Sequence, residues 1–370
     1  MKYCKKCVMP DTRPNIKFYE DGICAPCKNQ ERKATIDWDA RWKELEALAD
    51  KYRGCNGDYY DCIITASGGK DSHYQVEVFK EKLGMNPLIV SIDNISWTQT
   101  GRMNWDNIRG EFGVDAHVMS LNPKVCKILL KKAFYKLGSP TWYFDKAIYA
   151  YPLQIAIKLG IPLVIYGENT NYERGGSVNV DTPSALDQIN NDVVKPVPWE
   201  EFLEETLSMK DVQPGVYPTK EEIENAKLDP QFLSYYVPWS SHQNFIRAKQ
   251  RGFKSLDDTG EWIREGFINQ YDQIDTVGYL THTWMKFVKF GHWFSTDYAS
   301  LYIREGMMTR EEALHYVNNE EYKLDKKMLK DFIDFIEISE EEFWKVVEKF
   351  ANKELVEKRD GVWRLINPAH

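Results

Sequence analysis

Basic residues are in deficit in this 370-residue chain. Its 48 Lys and Arg stand against 56 Asp and Glu, a formal net charge of −8. A protein that grips a long polyphosphate draws most of its affinity from Lys and Arg, so nucleic acid is disfavoured as the main partner. Long apolar runs are lacking too. No stretch of about 18 apolar residues occurs, which excludes a membrane-spanning helix. The opening MKYCKKCVMPDTRP has no apolar segment of a secretory signal, so a cytoplasmic protein is expected. Cysteine is scarce, with seven in all, and in a reducing compartment so few predict metal or catalysis rather than disulfides. No internal repeat and no low-complexity tract interrupts a composition that is 43% hydrophobic and 28% charged, that of an ordinary globular protein.

Four of the seven cysteines are not scattered. Cys4 and Cys7 form one CxxC pair and Cys24 and Cys27 a second, 16 residues on. Two such knuckles present four thiolates to one tetrahedral site, so residues 1–34 are expected to form a zinc ribbon. Four sulfurs close the coordination shell, which makes the metal structural. TIDWDARWKELEALADKYRG follows with apolar residues at helical spacing and Gly54 at its end, a connecting helix over 35–57.

From 58 to 205 short apolar strands alternate with helical stretches. YYDCIITA, NPLIVSID, DAHVMSL and PLVIYGEN read as strands. This alternation predicts an α/β fold, a doubly wound parallel sheet. Ligands of such sheets sit beyond the carboxyl ends of the strands. From 206 to 370 the chain turns helical and aromatic, with 17 Phe, Trp and Tyr in the 71 positions 232–302. The pattern there predicts a helix opening at Thr309, and at the end of the chain a helix followed by a short strand.

The first strand runs into TASGGKDSHYQ, residues 65–75. It has a phosphate loop's glycines and lysine but is not the GxxxxGK[ST] loop. Gly68 and Gly69 let backbone amides approach an anion, and the following helix adds its N-terminal dipole. Ala66, Ser67 and Ser72 flank them, and Lys70 supplies charge. Asp71 among phosphate ligands points to a bridging Mg²⁺.

SGGKDS resembles the PP-loop of the ATP pyrophosphatases, which cleave ATP between the α and β phosphates. That resemblance implies a sheet of the adenine nucleotide α-hydrolase-like type. It also implies that residues 66–72 hold the departing pyrophosphate and that Asp93 and Gly167 contact the nucleotide. A more extensive resemblance, carried by YCKKCVMPDTRP, ICAPC, SGGKDS, YGEN and FGHWFSTDYASLYIREG, is to the N-acetyl sugar amidotransferases of surface-polysaccharide and nonulosonic acid pathways. It implies ATP, Mg²⁺ and structural Zn²⁺. An acetamido oxygen is adenylated, and ammonia displaces AMP to leave an acetamidino group. Lys70, Asp71 and Glu168 are then the candidate catalytic residues. His73, Asn169, Asn171 and Arg174 are candidates for the sugar or sugar nucleotide, and His282 and His292 are weaker candidates. No glutaminase signature is present, so the resemblance implies a separate HisH-like glutaminase and a HisF-like ammonia-channelling subunit. Two alternatives stay open: a tRNA 2-thiolation enzyme, which would require a reactive cysteine among Cys55, Cys62 and Cys126, and a nucleotide-binding scaffold without turnover.

Overall fold

The computed structural model describes residues 1–177, 180–186, 196–203 and 206–370. The strands β1 (Cys62–Thr65), β2 (Pro87–Ile92), β3 (Asp115–Met119), β4 (Leu163–Tyr166) and β5 (Asp229–Phe232) form one sheet in the order β3-β2-β1-β4-β5. Every pairing is parallel, with Ile64 opposite both Ile89 and Ile165. The central strands are buried along nearly their whole length, as expected when helices cover both faces. Alternate residues serve opposite faces: Ile63 and Val164 join one core cluster, Ile64 and Ile165 the other. The order reverses between β1 and β4, so the doubly wound expectation holds and the switch point lies where SGGKDS and YGEN end their strands.

Helices begin and end where local chemistry dictates. α1 (Ala25–Lys33) and α2 (Trp38–Tyr52) precede the sheet, and α3 (Lys70–Val76) starts at the glycine loop. α4 (Gln99–Phe112) is opened by the Thr98 hydroxyl, which accepts from the Gly101 N–H, and closed by Gly113 at φ +58°. α5 (Pro123–Leu137) and α6 (Trp142–Leu159) also end on left-handed glycines, Gly138 and Gly160. The short helices α7 (Thr170–Arg174), α8 (Lys220–Asn225), α9 (Leu233–Tyr236), α10 (Ser241–Gln250) and α11 (Leu256–Thr259) lead to α12 (Thr281–Phe290) and α13 (Phe294–Arg304). α14 (Arg310–Asn319) opens on the Thr309–Glu312 capping box, α15 (Lys326–Ile336) on Asp325 and α16 (Glu340–Phe350) on a second box.

Two expectations need amending. The sheet runs past residue 205, itself outside the described residues, because β5 lies at 229–232; its DPQF has no strand-like alternation and is held by pairing with β4. The chain also closes with two strands, β6 (Val356–Arg359) and β7 (Val362–Leu365), antiparallel and joined at Asp360-Gly361, both at positive φ, as a two-residue hairpin turn requires. The C-terminal helices share one apolar cluster with the sheet, which joins Ile63 and Val90 to Phe332, Val347 and Trp363.

Candidate active site

Gly68 sits at φ +85°, and a Cβ there would come within 2.9 Å of the Trp105 Cα. Only glycine permits this left-handed turn so near α4. The loop braces itself: the Ser67 N–H donates to the Ser72 Oγ at 3.0 Å and the Gly69 N–H to the Ser67 Oγ at 3.3 Å. His73 locks it from behind. Its Nδ1 lies 3.1 Å from the Gly69 carbonyl, which can only accept, and its Nε2 lies 3.1 Å from the Asn107 amide nitrogen. The imidazole therefore donates at one nitrogen and accepts at the other, which requires the neutral ring. Burial pushes it down to about 4, the Gly69 bond opposing.

Lys70 is 3% exposed, with its Nζ 2.6 Å from both Asp71 and Asp272. Burial opposes its charge, but Asp272 and then Asp71 outweigh burial and hold the ammonium above the usual lysine range. Burial also favours a neutral Asp272; at 2.6 Å from an ammonium, the charged pair is the state we assign. Asn244 of α10 donates to Asp71 at 2.8 Å. Two carboxylates thus border the glycine loop, an oxygen donor set of the kind that suits Mg²⁺.

Ser67, Gly68, Gly69, Lys70, Asp71, Ser72, Glu168 and Arg174 line one cavity of about 310 Å³. A second cavity of about 330 Å³ shares Ser67, Asp71, Ser72 and Glu168 with it and adds Ala66 and Gly167, so the two form one cleft at the switch point. Glu168 is held by Arg174, whose Nε donates at 3.1 Å. The remaining candidates lie elsewhere. Asp93 is absent from both linings; its carboxylate accepts from the Trp97 indole at 2.8 Å and the Ser120 hydroxyl at 2.7 Å, and the neighbouring Asn94 faces the cleft instead. Asn169 is buried, capping α7 and donating to the Val180 carbonyl. Neither Asn171 nor His73 lines the cleft. His282 does, and burial pushes it down to about 3. His292 is buried without lining it.

Most of the wall was not anticipated. Tyr271, Asp272, Asp275, Tyr279, Lys286, Asp297 and Tyr298 come from the aromatic segment, and Asp145 and Tyr149 from α6. Gly101 explains the first approach: a Cβ there would lie 2.4 Å from the Asp275 Cα, so glycine lets α4 meet that loop. Arg13 arrives from the cysteine-bearing segment, pairing with Asp297 at 2.6 Å and donating to the Gly175 carbonyl at 3.1 Å.

The sulfurs of Cys4, Cys7, Cys24 and Cys27 are buried and lie within 4.8 Å of one another, with Cys4–Cys27 at 3.9 Å and Cys7–Cys24 at 3.7 Å. Tetrahedral thiolates at a zinc–sulfur bond of about 2.3 Å stand about 3.8 Å apart, so the four fit zinc. The N–H groups of Lys6, Cys7 and Cys24 point at the Cys4 sulfur. The cluster docks on α7 through Lys33–Glu173 at 2.5 Å and the Asn29 amide on the Tyr172 carbonyl at 2.7 Å.

Residues 265–369 match the family model described as LPS biosynthesis protein WbpG-like, C-terminal domain. This match bears out the resemblance to the N-acetyl sugar amidotransferases. An uncharacterized protein of Methanocaldococcus jannaschii is 29% identical over 165 residues, 44% of this chain; the chain spans 58% of that relative's length. Among solved structures, NMN synthetase from Francisella tularensis superposes with a TM-score of 0.28 at 12% identity, over 52% of this chain and 93% of that one. NH3-dependent NAD synthetase from Campylobacter jejuni gives 0.28 and 12%, over 59% and 96%. The strand order, not these superpositions, carries the fold assignment.

Proposed function

We propose that this chain is an ATP-dependent amidotransferase that adenylates the acetamido oxygen of an N-acetylated sugar or sugar nucleotide and replaces AMP with ammonia. One observation carries the reading: the SGGKDS loop and the segment that matches the WbpG-like C-terminal domain face each other across a single cleft, joined by the Lys70–Asp272 ion pair. That match points to a sugar of surface-polysaccharide synthesis.

An amide carbonyl is a poor electrophile, and adenylation turns its oxygen into a leaving group. The acetamido oxygen attacks the α-phosphorus, the bond to the bridging oxygen breaks, and pyrophosphate departs. Loop amides and Lys70 would stabilise the charge that develops on it. Mg²⁺ held by Asp71 and Asp272 would neutralise the phosphates further. Ammonia then adds to the activated carbon, the C–O bond to AMP breaks, and a proton leaves the nitrogen. Glu168, which lines the cleft, is the carboxylate to which we assign that proton. No protein nucleophile is required. Cys62 and Cys126 are buried core residues, and no cysteine lines the cleft among the described residues, which disfavours thiolation. A HisH-like glutaminase with a HisF-like subunit would supply the ammonia, in the cytoplasm.

The test is pyrophosphate release from ATP with ammonium chloride and a panel of N-acetylated sugars and sugar nucleotides. The expected result is acceptor-dependent release, with a product whose mass shows oxygen replaced by NH. Release that depends on tRNA, or none with any acceptor, overturns the proposal.

A further inference from the structure

A third cavity lies against the cleft on the side away from the phosphate loop, between α5, α6, α15 and the segments around Asn94 and Thr276. Its volume is about 40 Å³, room for one or two molecules the size of water and for nothing resembling a sugar or nucleotide. Ile95, Leu130, Phe144, Phe332 and Phe335 give it apolar walls. It shares Asn94, Phe144 and Thr276 with the second cavity of the cleft, so these side chains separate the two. Tyr279 borders all three cavities. Its hydroxyl donates to Asp145 at 2.5 Å, and the Thr141 hydroxyl holds the other carboxylate oxygen at 2.8 Å. Ile95, Ser96, Asp331 and Phe335 are half-buried at the rim.

We propose that this cavity is the passage by which ammonia reaches the cleft, with Tyr279 as the partition it must pass. The inference rests on the amidotransferase reading and adds a route to it. Three observations select the ligand. The size admits only a molecule like water or ammonia. The walls are largely apolar and their one carboxylate, Asp331, is already held by the Ser96 hydroxyl and the Gly278 N–H, which disfavours ammonium, because an ion pays far more than a neutral amine to leave water. The inner end is bordered by Tyr279, whose hydroxyl donates to Asp145 and keeps its oxygen lone pairs for an N–H group. A side chain that fills the passage from the rim should therefore slow ammonia without touching adenylation. Ile95 belongs to neither the phosphate loop nor the cleft lining, which makes it the residue to enlarge.

The experiment compares the 370-residue chain, loaded with zinc, with Ile95→Trp and Ile95→Ala. Xenon-pressurised crystals should show xenon in this cavity in the unaltered protein and in Ile95→Ala, and none in Ile95→Trp. With an accepting sugar and ammonium chloride, Ile95→Trp should raise the KM for ammonia at least tenfold. Its KM for ATP should stay within twofold of the unaltered value, and Ile95→Ala should remain near the unaltered enzyme throughout. An unchanged ammonia KM in a folded Ile95→Trp protein, or a cavity that takes no xenon, overturns the passage while the amidotransferase reading stands. A chain that shows no acceptor-dependent pyrophosphate release with ammonium overturns both.

Discussion

At the residue scale, Lys70 and Gly68 answer different questions. Lys70 is wedged between two carboxylates at equal distances, so removing it leaves Asp71 and Asp272 facing each other without a cation. Lys70→Ala should cut pyrophosphate release at least 100-fold, about 2.7 kcal/mol of lost transition-state stabilisation, while circular dichroism and zinc content stay unchanged. Gly68→Ala is a stability test. Left-handed geometry alone costs a non-glycine residue about 1–2 kcal/mol, and the Trp105 backbone 2.9 Å away cannot move aside. Denaturant unfolding should show a loss of at least that size. His73 gives a pH signature. Its folded value near 4 lies below the unfolded value near 6.5, so the unfolded chain binds the extra proton. Stability should be level above pH 7 and fall as pH drops from 6.5 toward 4, by about 3 kcal/mol from this group. Thermal melts across that range check it, and His73→Asn should flatten part of the slope.

At the element scale, the sequence was most readable where strand and loop chemistry are local. β1, β2, β3 and β4 announced themselves as apolar runs between turns, and the cysteine knuckles by spacing alone. β5 did not, because its DPQF is a strand only through its partner. Asp93 shows the same limit within the site. A carboxylate at a strand end reads as a ligand, yet which way it turns is decided by Trp97, four residues on, and Ser120, on the neighbouring strand's loop. Asp93→Ala should destabilise the protein by about 1–3 kcal/mol through unsatisfied partners and leave the KM for ATP within about threefold. A rise beyond tenfold would return Asp93 to the nucleotide site. Asp272, Asp297 and Lys286 had no local signal at all: an aromatic-rich stretch reads as core, and their convergence on the loop is purely tertiary.

At the scale of the whole molecule, the C-terminal helices are part of the same apolar cluster as the sheet, and the segment 265–369 supplies much of the cleft. A chain ended at residue 264 would expose the face that Phe332, Phe343 and Val347 cover. It should be recovered insoluble or without a cooperative unfolding transition. A soluble, cooperatively melting fragment would show two independent units instead. The zinc-fitting cluster acts at this scale too. Chelation should lower the melting temperature and release four thiols to a thiol reagent, with the loss reversed by added zinc.

The Arg13–Asp297 pair joins positions 284 residues apart, beside a backbone carbonyl from Gly175. During synthesis Arg13 emerges 284 residues before its partner. No nascent fragment that stops short of α13 holds a complete cleft, so the phosphate loop can form long before there is a pocket for it to serve. An unfinished chain would therefore carry the glycines and lysine of that loop without the wall that Asp272, Lys286, Asp297 and Tyr298 supply.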